Sequence, residues 1–155
     1  MFRDSVMRLV EQVEKMLTSV VAKREAGRHD EARQELDAIC QEHIGLTLDF
    51  IMRSPPEAVA DALAASGALR HTRAILLSEL LTHDADLSAD AGRPAEACVA
   101  RLHAFCLLGD SMEMLNREEQ ATYRPKLERL AESLSALSGD RYVQSKLQKH
   151  RGSGG

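Results

Sequence analysis

No tryptophan occurs in this chain of 155 residues, and aromatic side chains of any kind make up only 3% of it. Strands draw on aromatic and β-branched residues, whereas the Ala and Leu abundant here favour helices, so an all-α fold is expected. Apolar runs are short too: none approaches the roughly 18 residues that crossing a bilayer requires. The opening Met1-Phe2-Arg3-Asp4-Ser5-Val6 enters an amphipathic helix without the apolar core or small-residue cleavage site of a signal peptide. Neither membrane insertion nor export is expected. Cysteine is confined to three positions, an odd number. Cys98 and Cys106 on one helix would stand about 12 Å apart along its axis, too far for a disulfide, so reduced thiols and a cytoplasmic location follow. Nor is there an excess of positive charge. The formal net charge of -4 argues against nucleic acid as a partner, because phosphate binding rests on clustered Lys and Arg.

Hydrophobic residues at 44% and charged residues at 28% suit one globular unit. Residues 1–140 are expected to form a single helical-hairpin domain, and 141–155 a tail that is basic and then Gly/Ser-rich. Charge is unevenly spread: from Glu79 to Asp140 there are twelve acids and six bases, while the tail gathers Arg141, Lys146, Lys149 and Arg151. Such a tail reads first as a solvated end, and second as a weak contact for an anionic surface.

Apolar residues at spacings of three and four predict a first helix from Asp4 to Ala26, through Val6, Leu9, Val10, Val13, Met16, Leu17 and Val20. A second carries Ala32, Leu36, Ile39 and His43 and ends before Gly45. Leu46 to Ile51 could supply one or two further turns. Ser54-Pro55-Pro56-Glu57 reads as a helix start, with Ser54 as cap and Pro55 in the first helical position. That helix should reach Ser66. Two longer ones follow, from Leu69 to Ala91 and from Pro94 to Leu115. A last helix with a cap at Asn116-Arg117-Glu118-Glu119 repeats Tyr123, Leu127, Leu130, Leu134 and Leu137 up to Ser138. Pro125 inside it predicts a break or an N-terminal proline.

One phrase occurs twice, as Ala26-Gly27-Arg28-His29-Asp30-Glu31-Ala32 and Ala91-Gly92-Arg93-Pro94-Ala95-Glu96-Ala97. Each copy stops a helix at Gly and restarts one at Glu-Ala, as a tight turn between antiparallel helices does. The glycines are 92 − 27 = 65 residues apart, nearly two of the roughly 34-residue periods of helical-hairpin repeats. The phrase resembles the turn and small-residue helix start of tetratricopeptide repeats, with Ala32 and Ala97 allowing close packing and Leu36 at the larger apolar position that follows. Arg101 stands at that position in the second copy. Where the tetratricopeptide signature has Trp, Leu-Gly and Tyr, this chain has Met16, Ser19-Val20 and Lys23, then Leu81, Asp84-Ala85 and Ser88. As a whole the chain is similar to a family of small uncharacterised bacterial proteins with a tetratricopeptide-like helical fold. The resemblance implies about six helices, stacked as hairpins in a short right-handed array. It also implies a partner-binding face on the first helix of each hairpin: Glu14, Leu17 and Arg24, then Glu79, Thr82 and Asp86. Solvated faces, with Leu17 in the core, are the plainer alternative.

No constellation specifies a reaction, and neither a cofactor nor a metal is expected. Cys40-Gln41-Glu42-His43 spaces a thiol and an imidazole like half of a metal site, but no second half occurs. The acids from Asp84 to Asp90 alternate as in a calcium loop, yet the positions for its glycine and bidentate Glu hold Ala89 and Ala95. Asp84, near a leucine stripe, needs a partner if buried, and Arg101 on the facing helix is the candidate. The expected function is protein–protein interaction, with a protein or peptide partner or with self-association into a homo-oligomer. The alternative is an enzyme or a metal or small-ligand binder, with a polar site drawn from His83, Asp84, Arg101 and Cys40.

Overall fold

The computed structural model describes residues 2–135 and 146–148, with side chains from residue 7 onward. Among these residues all regular structure is helical. Seven α-helices follow one another: α1 Phe2–Glu25, α2 His29–His43, α3 Leu48–Arg53, α4 Pro56–Ala64, α5 Arg70–Asp90, α6 Pro94–Ser111 and α7 Arg117–Ser135. Single 3-10 turns at Gly67–Leu69 and Met112–Met114 precede α5 and follow α6. Of the expected tail, only Lys146, Leu147 and Gln148 lie within the described residues, and they are helical. Arg141, Lys149, Arg151 and the Gly/Ser end lie outside them, as do Leu137 and Ser138. None of the described helices is long and apolar enough to cross a membrane.

Both copies of the repeated phrase form the same turn. At the first, Gly27 N–H donates to the Arg24 carbonyl (3.0 Å) and Arg28 N–H to that of Lys23 (2.9 Å). At the second, Gly92 donates to Ala89 (3.1 Å) and Arg93 to Ser88 (2.8 Å). These are Schellman pairs, which occupy the last carbonyls of a helix and need a left-handed residue between them. Gly27 and Gly92 supply it, at φ 78° and 77°. Side chains across each turn show that the helices run antiparallel. Ser19 and Lys23 near the end of α1 both reach Glu35 near the start of α2, and Asp86 of α5 meets Arg101 of α6.

The α5–α6 pair is the centre of the molecule. Helix α5 packs against α1, α2, α4 and α6, while α6 also meets α3 and α7. Twelve of the 21 residues of α5 are buried. Consecutive Ile75, Leu76 and Leu77 are each 0% exposed, so no side of the helix faces water there. Small residues line the contact of the pair: Ala85, Ala97 and Ala100 form a buried cluster against which Met52 of α3 packs.

Two helix starts differ from expectation. Ser54 does not cap α4; it ends α3, and its hydroxyl donates back to the Phe50 carbonyl at 2.6 Å. A residue before proline is driven out of the helical region. The double proline therefore keeps both Ser54 (ψ 147°) and Pro55 (ψ 156°) extended, and α4 begins at Pro56. Pro125 neither breaks nor starts α7, which runs through it. Ala121, whose carbonyl loses its helical donor to that proline, is exposed and open to water. The expected cap of this helix is present in reciprocal form. Glu119 N–H donates to Asn116 Oδ1 (2.9 Å), and Asn116 N–H donates to Glu119 Oε1 (3.0 Å).

Candidate functional site

The six residues assigned to a partner-binding face lie along α1 and α5, which pack on each other. Leu17 is in the core, and Glu14 is exposed on α1. Arg24, at the end of α1, turns to α5: its Nε lies 2.5 Å from Asp90 Oδ2 and its Nη1 3.5 Å from Asp86 Oδ2. Asp86 is also 3.8 Å from Arg101. Glu79 forms an ion pair with Lys126 of α7, and it faces His83 together with Asp86 and Arg24. Thr82 donates its hydroxyl to the Ser78 carbonyl of its own helix at 2.8 Å. Arg24 and Asp86 are thus brought together, inside the seam between α1 and the α5–α6 hairpin.

Asp84 is buried, and its partner is Arg33 rather than Arg101. Arg33 Nε donates to Asp84 Oδ1 at 3.0 Å, while Arg33 Nη1 lies 3.6 Å from Asp49 Oδ1. Helix α2, which carries Arg33, packs on α5, and sequence alone did not show which neighbour would cover Asp84. Its second oxygen, Oδ2, has no hydrogen-bond partner among the described residues. Burial pushes this carboxyl above its ordinary range, against the opposing pull of Arg33. Cys40 is buried, and loss of water raises its thiol to about 12, which leaves no reactive thiolate at neutral pH. His83 faces Glu79, Asp86, Arg24 and Lys126, whereas its neighbour Asp84 faces Arg33, Glu96 and Asp37. One step along a helix turns a side chain by about 100°, so His83 and Asp84 serve different sides of α5. Among the described residues, no group of three or more His, Cys, Asp or Glu side chains could hold a metal ion.

A hollow of about 420 Å³ lies elsewhere, between α4 and the second half of α6. Its walls carry acids at helical intervals. Glu57 and Asp61 lie one turn apart along α4, and Asp110 near the end of α6 is followed by Glu113 in the next 3-10 turn. Pro56, Ala60, Phe105 and Leu107 give it an apolar floor. Lys146 sits at this cleft in an ion pair with Glu57. Leu147 beside it is 1% exposed and belongs to the main core. A second hollow continues the groove past Ala60, Leu107 and Asp110 to Arg70, His71 and Ser111. There, His71 Nδ1 and Ser111 Oγ are 3.2 Å apart.

Sequence reasoning missed this cleft. In the sequence Glu57 reads only as part of a helix start, and Asp61, Asp110 and Glu113 belong to no motif; the available signal is the basic tail of an otherwise acidic chain. Comparison with protein families, with curated proteins and with solved structures gave no match to this chain.

Proposed function

We propose that this chain is a small helical protein-interaction module with tetratricopeptide-like hairpins, and that it receives its partner in the acid-lined cleft between α4 and α6. One observation carries the proposal: Lys146, from beyond α7, pairs with Glu57 in this cleft as a basic residue of a docked peptide would. The repeated Gly turn and the antiparallel helix pairs α1–α2 and α5–α6 support the tetratricopeptide-like description. A catalytic role for His83, Asp84, Arg101 and Cys40 has less in its favour, since they fall into two separate pairs, His83 and Arg101 around Asp86 and Asp84 and Cys40 around Asp37.

The test is capture of proteins from a native lysate with the full chain and with an Asp61→Lys/Asp110→Lys variant. Both positions are exposed, so the substitutions should leave the fold intact. Partners held by the full chain and lost by the variant are the expected result. Capture that is indifferent to the two charge reversals would remove the cleft from consideration.

A further inference from the structure

We infer that the hollow where α4, the start of α5 and the end of α6 meet is a site for a small zwitterion, an α-amino acid with a short apolar side chain, whose carboxylate Arg70 receives and whose ammonium Asp110 receives. The inference makes no use of the partner-binding reading above.

Charge is the first argument. Arg70 opens α5, and Asp110 is the last residue but one of α6. The two helices run antiparallel, so these ends are neighbours, and both side chains line the hollow. A cation at the start of a helix and an anion at its end each oppose the helix dipole. Both act through space on the His71 ring, yet among the described residues neither Arg70 nor Asp110 is in an ion pair or a side-chain hydrogen bond. One charge of each sign therefore stands unpaired at the same hollow, an arrangement complementary to a ligand that carries both.

The walls are the second argument. Ala60 and Leu63 of α4, Ala74 of α5 and Leu107 of α6 make them apolar, and the volume is about 240 Å³. That is just below the range of about 300–1,000 Å³ usual for drug-sized ligands, so the occupant is smaller. Ser111 is 1% exposed, and its hydroxyl lies 3.2 Å from His71 Nδ1. Burial first, and Arg70 after it, lower the proton affinity of His71 against the pull of Asp110. The ring is thus uncharged at neutral pH and cancels neither neighbour. Arg70 and Asp110 are exposed and stand at the mouth, whereas Leu63, Ala74 and Leu107 are buried. An α-amino acid carries ammonium and carboxylate on one carbon, so both charges can be met at the mouth while the side chain enters the apolar part.

The probes are L-leucine and two relatives with one charge each: 4-methylpentanoate, which lacks the ammonium, and 3-methylbutylamine, which lacks the carboxylate. Each is titrated into the isotope-labelled full chain at pH 7, with backbone amide shifts followed by NMR. We expect leucine to saturate with a Kd on the order of millimolar, and each relative to bind at least about fivefold more weakly. The shifts should centre on residues 69–74 and 107–111. Arg70→Gln should erase the preference for leucine over the amine, and Asp110→Asn the preference over the acid. Both positions are exposed, so the fold should hold.

No saturation by leucine or by the smaller L-alanine, or shifts centred elsewhere, would overturn the inference. So would an Arg70→Gln chain that still prefers leucine to the amine. Should a variant fail to fold, the three probes on the native chain decide: equal binding of leucine and either relative removes the zwitterion site.

Discussion

Asp84 has its whole side chain shielded from water and, among the described residues, only one of its two oxygens bonded, so its ionisation opposes folding even with Arg33 beside it. The folded carboxyl holds its proton to higher pH than the unfolded one, whose ordinary value is 3.8. Its contribution to stability is therefore fully present below about pH 3.8 and is lost as pH rises through the folded value. Asp84→Asn keeps the shape without the charge, and it leaves Arg33 near Asp49 and partly in solvent. In urea unfolding at pH 4 and pH 7, the Asn variant should gain on the native chain as pH rises and be at least as stable at pH 7. A variant that falls further behind toward pH 7 would mean that attraction to Arg33 outweighs burial. That Asp84 would need a partner was legible from its place near a leucine stripe. The partner's identity was not, because an acid on a central helix has several neighbours and their order is a tertiary property.

At the scale of elements, the ends of helices were read better than their faces. Gly27 and Gly92 act through backbone conformation alone: a Cβ built at either would meet nothing within 4 Å, yet φ lies near +78° at both. Gly27→Ala or Gly92→Ala should each cost about 1–2 kcal/mol through left-handed strain, seen as a lower urea midpoint with unchanged slope. A cost near zero would mean that the turn can rearrange to a right-handed residue. The Asn116–Glu119 cap was equally plain, because it needs only residues three apart. Ser54 was misjudged: its residue type suits a cap, but the two prolines after it fix the backbone before any side chain can act. Helices α1 and α7 show clear apolar stripes because each has one wet side, whereas α5 is enclosed along much of its length and its pattern loses direction.

At the scale of the whole molecule, burial around the α5–α6 pair shifts histidines in one direction. His103 on α6 is 1% exposed, hydrogen-bonded to the Ser54 backbone and without a partner at Nδ1 among the described residues. Burial is the leading cause that lowers its proton affinity, and the same holds for His71 and His83. The unfolded chain then binds protons at a pH where the folded chain does not. Stability from these groups is complete above the ordinary histidine value of 6.5 and declines as pH falls through the lowered folded values. The melting temperature should drop from pH 7.5 to pH 5.5, and His103→Gln should reduce the slope. A melting temperature that rises toward pH 5.5 would show that paired acids near these rings dominate instead.

The sequence by itself determined the secondary structure and its punctuation: composition favoured helix, period-3.6 stripes placed most of the helices, and glycine and asparagine marked turns and caps. All of these depend on residues within about one helical turn of each other, where spacing alone fixes geometry. Tertiary structure decided which helix became the enclosed centre, that Asp84 met Arg33 while Arg101 met Asp86, and that Glu57 of α4 met Lys146. Those outcomes depend on the order in which helices pack, and residues as distant in the chain as Arg33 and Asp84 or Glu57 and Lys146 become neighbours only after that order is set.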